Sequence, residues 1–144
     1  MGRNSTSTNL ENYQPQLCIA GKISRCERIV SRIYRKHFAE FDITISQLSI
    51  LSVVAKKKGS VTQKLLSDLL FLEKSTVSRN LRRLFNSGYL ERNSSKEIKI
   101  TNTGKRLLEN VIPLWDKAML ETREILKNDG ENAVDLIISR LGNN

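Results

Sequence analysis

The sequence predicts a mainly α-helical fold with one small β-hairpin: a winged helix-turn-helix domain flanked by N- and C-terminal helices that serve dimerisation. Three observations predict it. Two short helices stand at helix-turn-helix spacing within Thr62–Arg92, two alternating apolar–polar strands follow directly, and heptad-like apolar seams flank the whole. The 144 residues, 39% of them hydrophobic, suffice for one domain with a sizeable core and leave no room for a second, catalytic one. The expected division is a disordered N-terminus over residues 1–14, helical dimerisation regions over 15–42 and 107–144, and the winged helix over 43–106.

Met1–Gln14 is rich in Ser, Thr and Asn and lacks the apolar core of a signal peptide, and no window is long and apolar enough for a membrane span. A cytoplasmic protein with no membrane partner is expected. Pro15 suits a first helical position. From there Ile19, Ile23, Cys26, Val30, Ile33 and His37 recur at spacings of four and three, flanked by Lys22, Arg25, Arg28, Arg32, Arg35 and Lys36. Such a seam wants a partner helix, so Ile19, Ile23, Val30 and Ile33 are candidate dimer contacts.

In that helix Cys18 falls in the first turn, where amides and the helix dipole favour a thiolate. Lys22 and Arg25 follow on the same side. Cys18 is therefore a candidate redox sensor, set against the plain alternative of a small packed hydrophobe, which is the reading for Cys26 on the apolar seam. Eight residues along one helix hold the two cysteines about 12 Å apart in rise, beyond disulfide reach within a chain.

Thr44 followed by Gln47 reads as a capping box opening a helix whose buried side is Leu48, Leu51 and Val54 or Ala55. Lys56-Lys57-Lys58 complements its carbonyl end, and Gly59 can end it in a left-handed conformation. Thr62 caps a leucine-rich helix, Gln63–Leu70, and Phe71-Leu72-Glu73 joins it to a second. There Val77, Leu81 and Leu84 collect on one side, and Ser75, Thr76, Arg79, Arg82, Arg83 and Asn86 on the other. A solvated face normally mixes signs, but between Lys74 and Tyr89 this one carries three arginines and no acid.

Small hydroxyls near a helix start let the backbone approach a major groove, and arginines behind them bond guanine or neutralise phosphate. The candidate contacts to double-stranded DNA are Thr62, Gln63, Lys74, Ser75, Thr76, Ser78, Arg79, Arg82, Arg83 and Lys96. Charge agrees with this placement. The chain carries a formal +9, with 20 basic and 8 acidic side chains up to residue 106 and 4 against 7 thereafter.

Gly88 can end the second helix. Tyr89–Arg92 and Glu97–Ile100 read as strands joined by Asn93-Ser94-Ser95. Helical spacing returns over Thr101–Lys127, with Pro113 expected to kink it and Asp129-Gly130 to break it. Ala133, Leu136, Ile137 and Leu141 form a last amphipathic helix, with Leu136 and Ile137 as further dimer contacts. Trp115 shares the apolar stripe and is read as core or interface.

The run Leu72-Glu73-Lys74-Ser75-Thr76-Val77-Ser78-Arg79-Asn80-Leu81-Arg82-Arg83-Leu84, then Gly88-Tyr89-Leu90-Glu91-Arg92, Thr101-Asn102-Thr103-Gly104-Lys105 and Pro113-Leu114-Trp115, resembles the MarR family of bacterial transcription regulators over about residues 16–142. The resemblance implies a homodimer whose terminal helices intertwine, winged helices that grip DNA, and release by a small-molecule effector or a redox signal. Leu17-Cys18-Ile19-Ala20 is similar to the peroxide-sensing OhrR branch. Two features depart from the family. Its wings commonly carry an Asp-x-Arg pair for the minor groove, where this chain has only Asn93–Lys96. Phe71 stands where the family often has Gly, which must shift the turn or bury the ring.

An enzyme is not expected: His37 is the one histidine, no Cys/His cluster has metal-ligand spacing, and no glycine-rich phosphate loop is present. No cofactor or metal is expected. The competing reading is a winged helix that docks an acidic protein on its basic face.

Overall fold

The computed structural model describes residues 9–58 and 60–142. The tail over residues 1–8 and the expected left-handed stop at Gly59 lie outside them. Asn9–Asn12 forms one exposed helical turn, α1, within the segment expected to be disordered.

Pro15 opens a 3-10 turn, Pro15–Leu17, closed by the Cys18 N–H donating to the Pro15 carbonyl at 3.1 Å. Cys18 is extended, and its own carbonyl accepts from Lys22 N, so the long helix α2 begins one residue later and runs Ile19–His37. Cys18 is thus the cap residue of α2 rather than a member of its first turn. The reason is local: a proline needs no N–H partner, and three residues satisfy the tighter turn. Phe38, 1% exposed, ends α2 and meets Tyr34 edge-on at 6.0 Å between centroids.

The Thr44 capping box is present. Thr44 Oγ1 accepts from Gln47 N at 3.2 Å, and Gln47 Oε1 accepts from Thr44 N at 3.0 Å. It opens α3, Ile45–Lys56, which buries Leu48, Leu51 and Val54 together with Ile50, while Ala55 faces out. Thr62 caps α4, Gln63–Leu70, accepting from Leu65 N at 3.2 Å, and α5 follows over Lys74–Asn86. Between them Phe71 takes the left-handed conformation (φ 51°, ψ 38°) with its ring 90% exposed. A side chain there costs roughly 1–2 kcal/mol. Ser67 stitches the turn against that cost: its carbonyl accepts from Leu72 N, and its hydroxyl donates to the Leu72 carbonyl at 2.6 Å. Of the two outcomes open for Phe71, the turn shifts and the ring stays out.

Leu90–Arg92 (β1) pairs antiparallel with Ile98–Ile100 (β2), Leu90 opposite Ile100. Val61 extends the wing by accepting from Ile98 N at 2.9 Å. The core runs through all these elements, from Phe38 and Ile43 through Leu66, Val77 and Leu81 to Leu90, Ile98 and Val111.

The final helix α6 spans Asn102–Gly142. Its interruption falls at Lys127 (φ 56°, ψ −176°), not at Asp129-Gly130, and Pro113 keeps helical dihedrals. Gly130 packs beneath Leu126, where a β-carbon would lie 3.1 Å from the Leu126 Cβ, so its smallness serves contact rather than breakage. Arg123 and Glu131 clasp the interruption with a 3.0 Å ion pair. No helix of the described residues is long and apolar enough to cross a membrane.

The wing is fixed to the head of α6 by Thr101 and Gly104. Thr101 Oγ1 donates to the Gly88 carbonyl at 2.6 Å and accepts from Gly104 N at 3.0 Å. A β-carbon on Gly104 would lie 2.3 Å from the Tyr89 carbonyl oxygen and 2.8 Å from an Ile100 side-chain carbon. Backbone cannot yield cheaply, so Gly104→Ala should destabilise the chain by about 1–3 kcal/mol. Urea unfolding followed by circular dichroism checks this, and an unchanged midpoint would refute it.

Candidate nucleic-acid interface

The exposed side of α5 exists because the other side is used up. Val77, Leu81 and Leu84 are buried against α3 and α4, which forces the intervening residues outward. Ser75, Arg79, Arg82, Arg83 and Asn86 are exposed, and Thr76, Ser78 and Asn80 are half-buried. Lys74 and Ser75 occupy the first turn, and no side chain caps it, so the amides at this helix start remain available to an anion. Gln63 Nε2 reaches the Lys74 carbonyl at 3.4 Å and ties the head of α4 to the head of α5. Thr62 spends its hydroxyl oxygen on the α4 cap.

The structure also brings Arg92 to this surface. Its guanidinium lies over the Phe85 ring at 5.1 Å from the centroid. Gln63, Ser78, Arg82, Phe85, Asn86 and Arg92 line a groove of about 290 Å³ between α5 and the wing. Sequence reasoning treated Arg92 only as a strand residue. The available signal was its place at the end of β1, next to the turn and beyond Leu90, the buried residue of that strand.

Lys96 is exposed in the turn of the wing at φ 62°. That turn is held from within. Asn93 Oδ1 accepts from Glu97 N at 2.9 Å, and the Glu97 carboxylate accepts from Asn93 Nδ2 at 2.7 Å and from the Ser60 hydroxyl. The bonds from Ser60, then from Asn93, hold the Glu97 carboxyl below its ordinary value.

Away from α5, Cys18 is exposed at the head of α2. Cys26, expected to be packed on the apolar seam, is likewise exposed in the single chain. Ile19, Ile23, Leu136 and Ile137 are exposed, whereas Val30 and Ile33 are half-buried. His37 Nε2 and Lys36 Nζ both meet the Glu121 carboxylate at 2.7 Å, fixing the end of α2 to α6. A cavity of about 420 Å³ opens between α3 and α6, lined by Leu48, Ser52, Val53, Leu70, Ile112 and Trp115. Among the described residues, no group of three or more His, Cys, Asp or Glu side chains could hold a metal.

Residues 41–97, from the end of α2 to the wing, match the profile of the MarR family. Among solved structures, the chain is similar to Bordetella bronchiseptica BpsR, described for regulation of its DNA binding by 6-hydroxynicotinic acid. That likeness has 15% identity and a TM-score of 0.80 over 92% of this chain and 98% of that one. It is similar to M. tuberculosis MosR in complex with DNA (22% identity, TM-score 0.74, 88% and 99% covered). It is also similar to a cysteine-to-serine mutant of E. coli MarR complexed with operator DNA (19% identity, TM-score 0.74, 93% and 99% covered). At such identities these likenesses establish the fold. Among curated proteins none matches the chain in sequence. The fold and the exposed face of α5 therefore define a winged helix-turn-helix protein. Over residues 41–97 that winged domain matches the MarR family.

The wing turn yields a pH prediction. A carboxylate whose folded pKa is depressed contributes its bonds fully above the ordinary carboxylate range, and they are lost as pH falls through the lowered folded value. The protection factors of the Glu97 and Lys96 amides, exchange taken relative to the intrinsic rate at each pH, should therefore stay constant from neutral pH through the ordinary carboxylate range and fall only below it. Glu97→Gln should remove that step, and a wild-type step at or above the ordinary value would contradict the assignment.

Proposed function

We propose that this chain is a cytoplasmic, sequence-specific DNA-binding transcription regulator, acting as a homodimeric repressor on a palindromic operator and released by a small molecule or an oxidant. The observation that carries the reading is the face of α5: three exposed arginines and a hydroxyl-rich start on a helix whose opposite side is core. In this reading α5 enters the major groove. Ser75, Thr76 and Ser78 allow close approach, Arg79 reads a base edge, and Lys74, Arg82 and Arg83 hold phosphates. The wing, through Lys96 and Arg92, follows the adjacent backbone. The DNA complexes of MosR and MarR support this use of the fold.

Dimerisation is supported by the apolar side chains that one chain leaves uncovered on α2 and α6, Ile19 and Ile23 on the first and Leu136 and Ile137 on the second. The cavity beside Trp115 suits a small effector. Regulation of BpsR by 6-hydroxynicotinic acid supports that class of signal.

Operator binding tests the reading. A protected footprint should be two-fold symmetric, with half-sites about 34–36 Å apart. Arg79→Ala should lose ~1–3 kcal/mol on the operator and flatten base preference at one or two positions. Equal weakening on every duplex would make Arg79 a phosphate contact. Sequence-indifferent binding by the parent would favour docking of an acidic protein.

The oxidant branch rests on the exposure of Cys18 at the head of α2. Peroxide would transfer one oxygen to the sulfur and leave as water, giving a sulfenic acid. The parent should then release operator DNA, while Cys18→Ser binds equally well and stays bound. Release by both proteins would remove Cys18 from the mechanism.

A further inference from the structure

The register of the wing aims one cation at α5. Side chains alternate along a strand, and Leu90 of β1 points inward and is buried. Arg92, two residues on and opposite the buried Ile98, falls on the same face as Leu90 but past the core, and it is exposed. There its guanidinium meets the ring of Phe85.

Phe85 is a firm platform. It follows Leu81 by one turn of α5 and so shares the inward side of that helix, half-buried and packed against the core. Among the described residues the Arg92 guanidinium has neither a hydrogen-bond acceptor nor a carboxylate partner. A ring takes up the flat side of a guanidinium and leaves its N–H edges free. Arg92 is oriented, yet its donors are unused. The groove beside it has the same character: Gln63 from the head of α4, Ser78, Arg82 and Asn86 from α5 and Arg92 from β1 put donors around it, and no carboxylate shares the lining. Two guanidiniums bordering one groove with nothing anionic between them fit a phosphodiester backbone.

We propose that Phe85 is a positioning residue for DNA binding, its ring holding the Arg92 guanidinium ready for a backbone phosphate at the groove between α5 and the wing. This rests on the reading of α5 as the DNA-binding helix. A free arginine side chain must give up its rotamers on contact, whereas one stacked on Phe85 is already ordered in the unbound protein. A carboxylate could also hold the guanidinium, but it would neutralise the charge and occupy the edge that phosphate needs. The ring does neither.

The probe is a duplex of about 30 base pairs of arbitrary sequence, bound by the full chain over a salt series. Arg92→Ala should weaken binding about tenfold at low salt and make the log–log salt dependence shallower by about one. Phe85→Leu, or Phe85→Met if leucine underfills the core, should weaken it about threefold in the parent background and not at all once Arg92 is alanine. Phe85→Tyr, which restores a ring, should bind as the parent does. In the unbound parent, NMR should find the Arg92 δ-methylene protons shifted upfield by the ring, and the shift should vanish in Phe85→Leu.

Equal weakening by Phe85→Leu in both backgrounds would make Phe85 a packing residue only and overturn the proposal. Arg92 protons without an upfield shift in the parent would overturn it too, as would a Phe85→Tyr variant no better than Phe85→Leu. Each of these leaves the proposed function standing. A parent that bound no duplex at low salt would bring down the proposed function, and this proposal with it.

Discussion

The contact on which the rest of the structure depends is the seating of Gly104 against the Tyr89 carbonyl. Helix α5 ends with Tyr89 N bonded back to the Leu84 carbonyl and Gly88 N to that of Phe85. Gly88, at φ 71°, turns the chain there as a side chain could not without strain. The carbonyls of Gly88 and Tyr89 then receive the Thr101 hydroxyl, and Thr101 N donates to Tyr89 as well. The end of α5 and the head of α6 are thereby one joint. Any rotation of α6 must move α5 or break these bonds.

This joint also gives a sequence pattern its physical reason. Thr-x-x-Gly after a hairpin was legible as a likeness, and its chemistry is now plain: a hydroxyl that both caps a helix and ties down a turn, and a residue without a β-carbon where two backbones meet. The elements with strong local signals were similarly legible. Thr44 with Gln47, Thr62 before a leucine-rich helix, and the apolar positions of α5 each state their structure within a few residues, because capping and burial act over one turn.

What the sequence did not disclose depends on partners distant along the chain. Gly130 looks like a helix breaker in isolation, yet the space it leaves is filled by Leu126, and the interruption moves to Lys127. Phe71 offered no sign that Ser67 would brace its left-handed backbone. Arg92 belonged to a strand by spacing alone and joins the α5 surface only because Phe85 lies beneath it.

The distribution of uncovered apolar residues gives the architecture its asymmetry. Around the winged helix, buried residues from nearly every element close on one another. The first half of α2 and the last part of α6 have no such cover, and Ile19 remains 73% exposed and Leu141 62%. Polar clasps lie between these uncovered stretches: Glu121 with His37 and Lys36 holds the end of α2 to α6, and Arg123 with Glu131 spans the interruption within α6. Exposed ion pairs contribute little stability by themselves, so their value is in orientation. The Glu121 clasp orients the end of α2 against α6, and a second chain meeting the apolar faces of these helices would inherit that orientation. The distance between the α5 helices of two chains would then follow from that orientation.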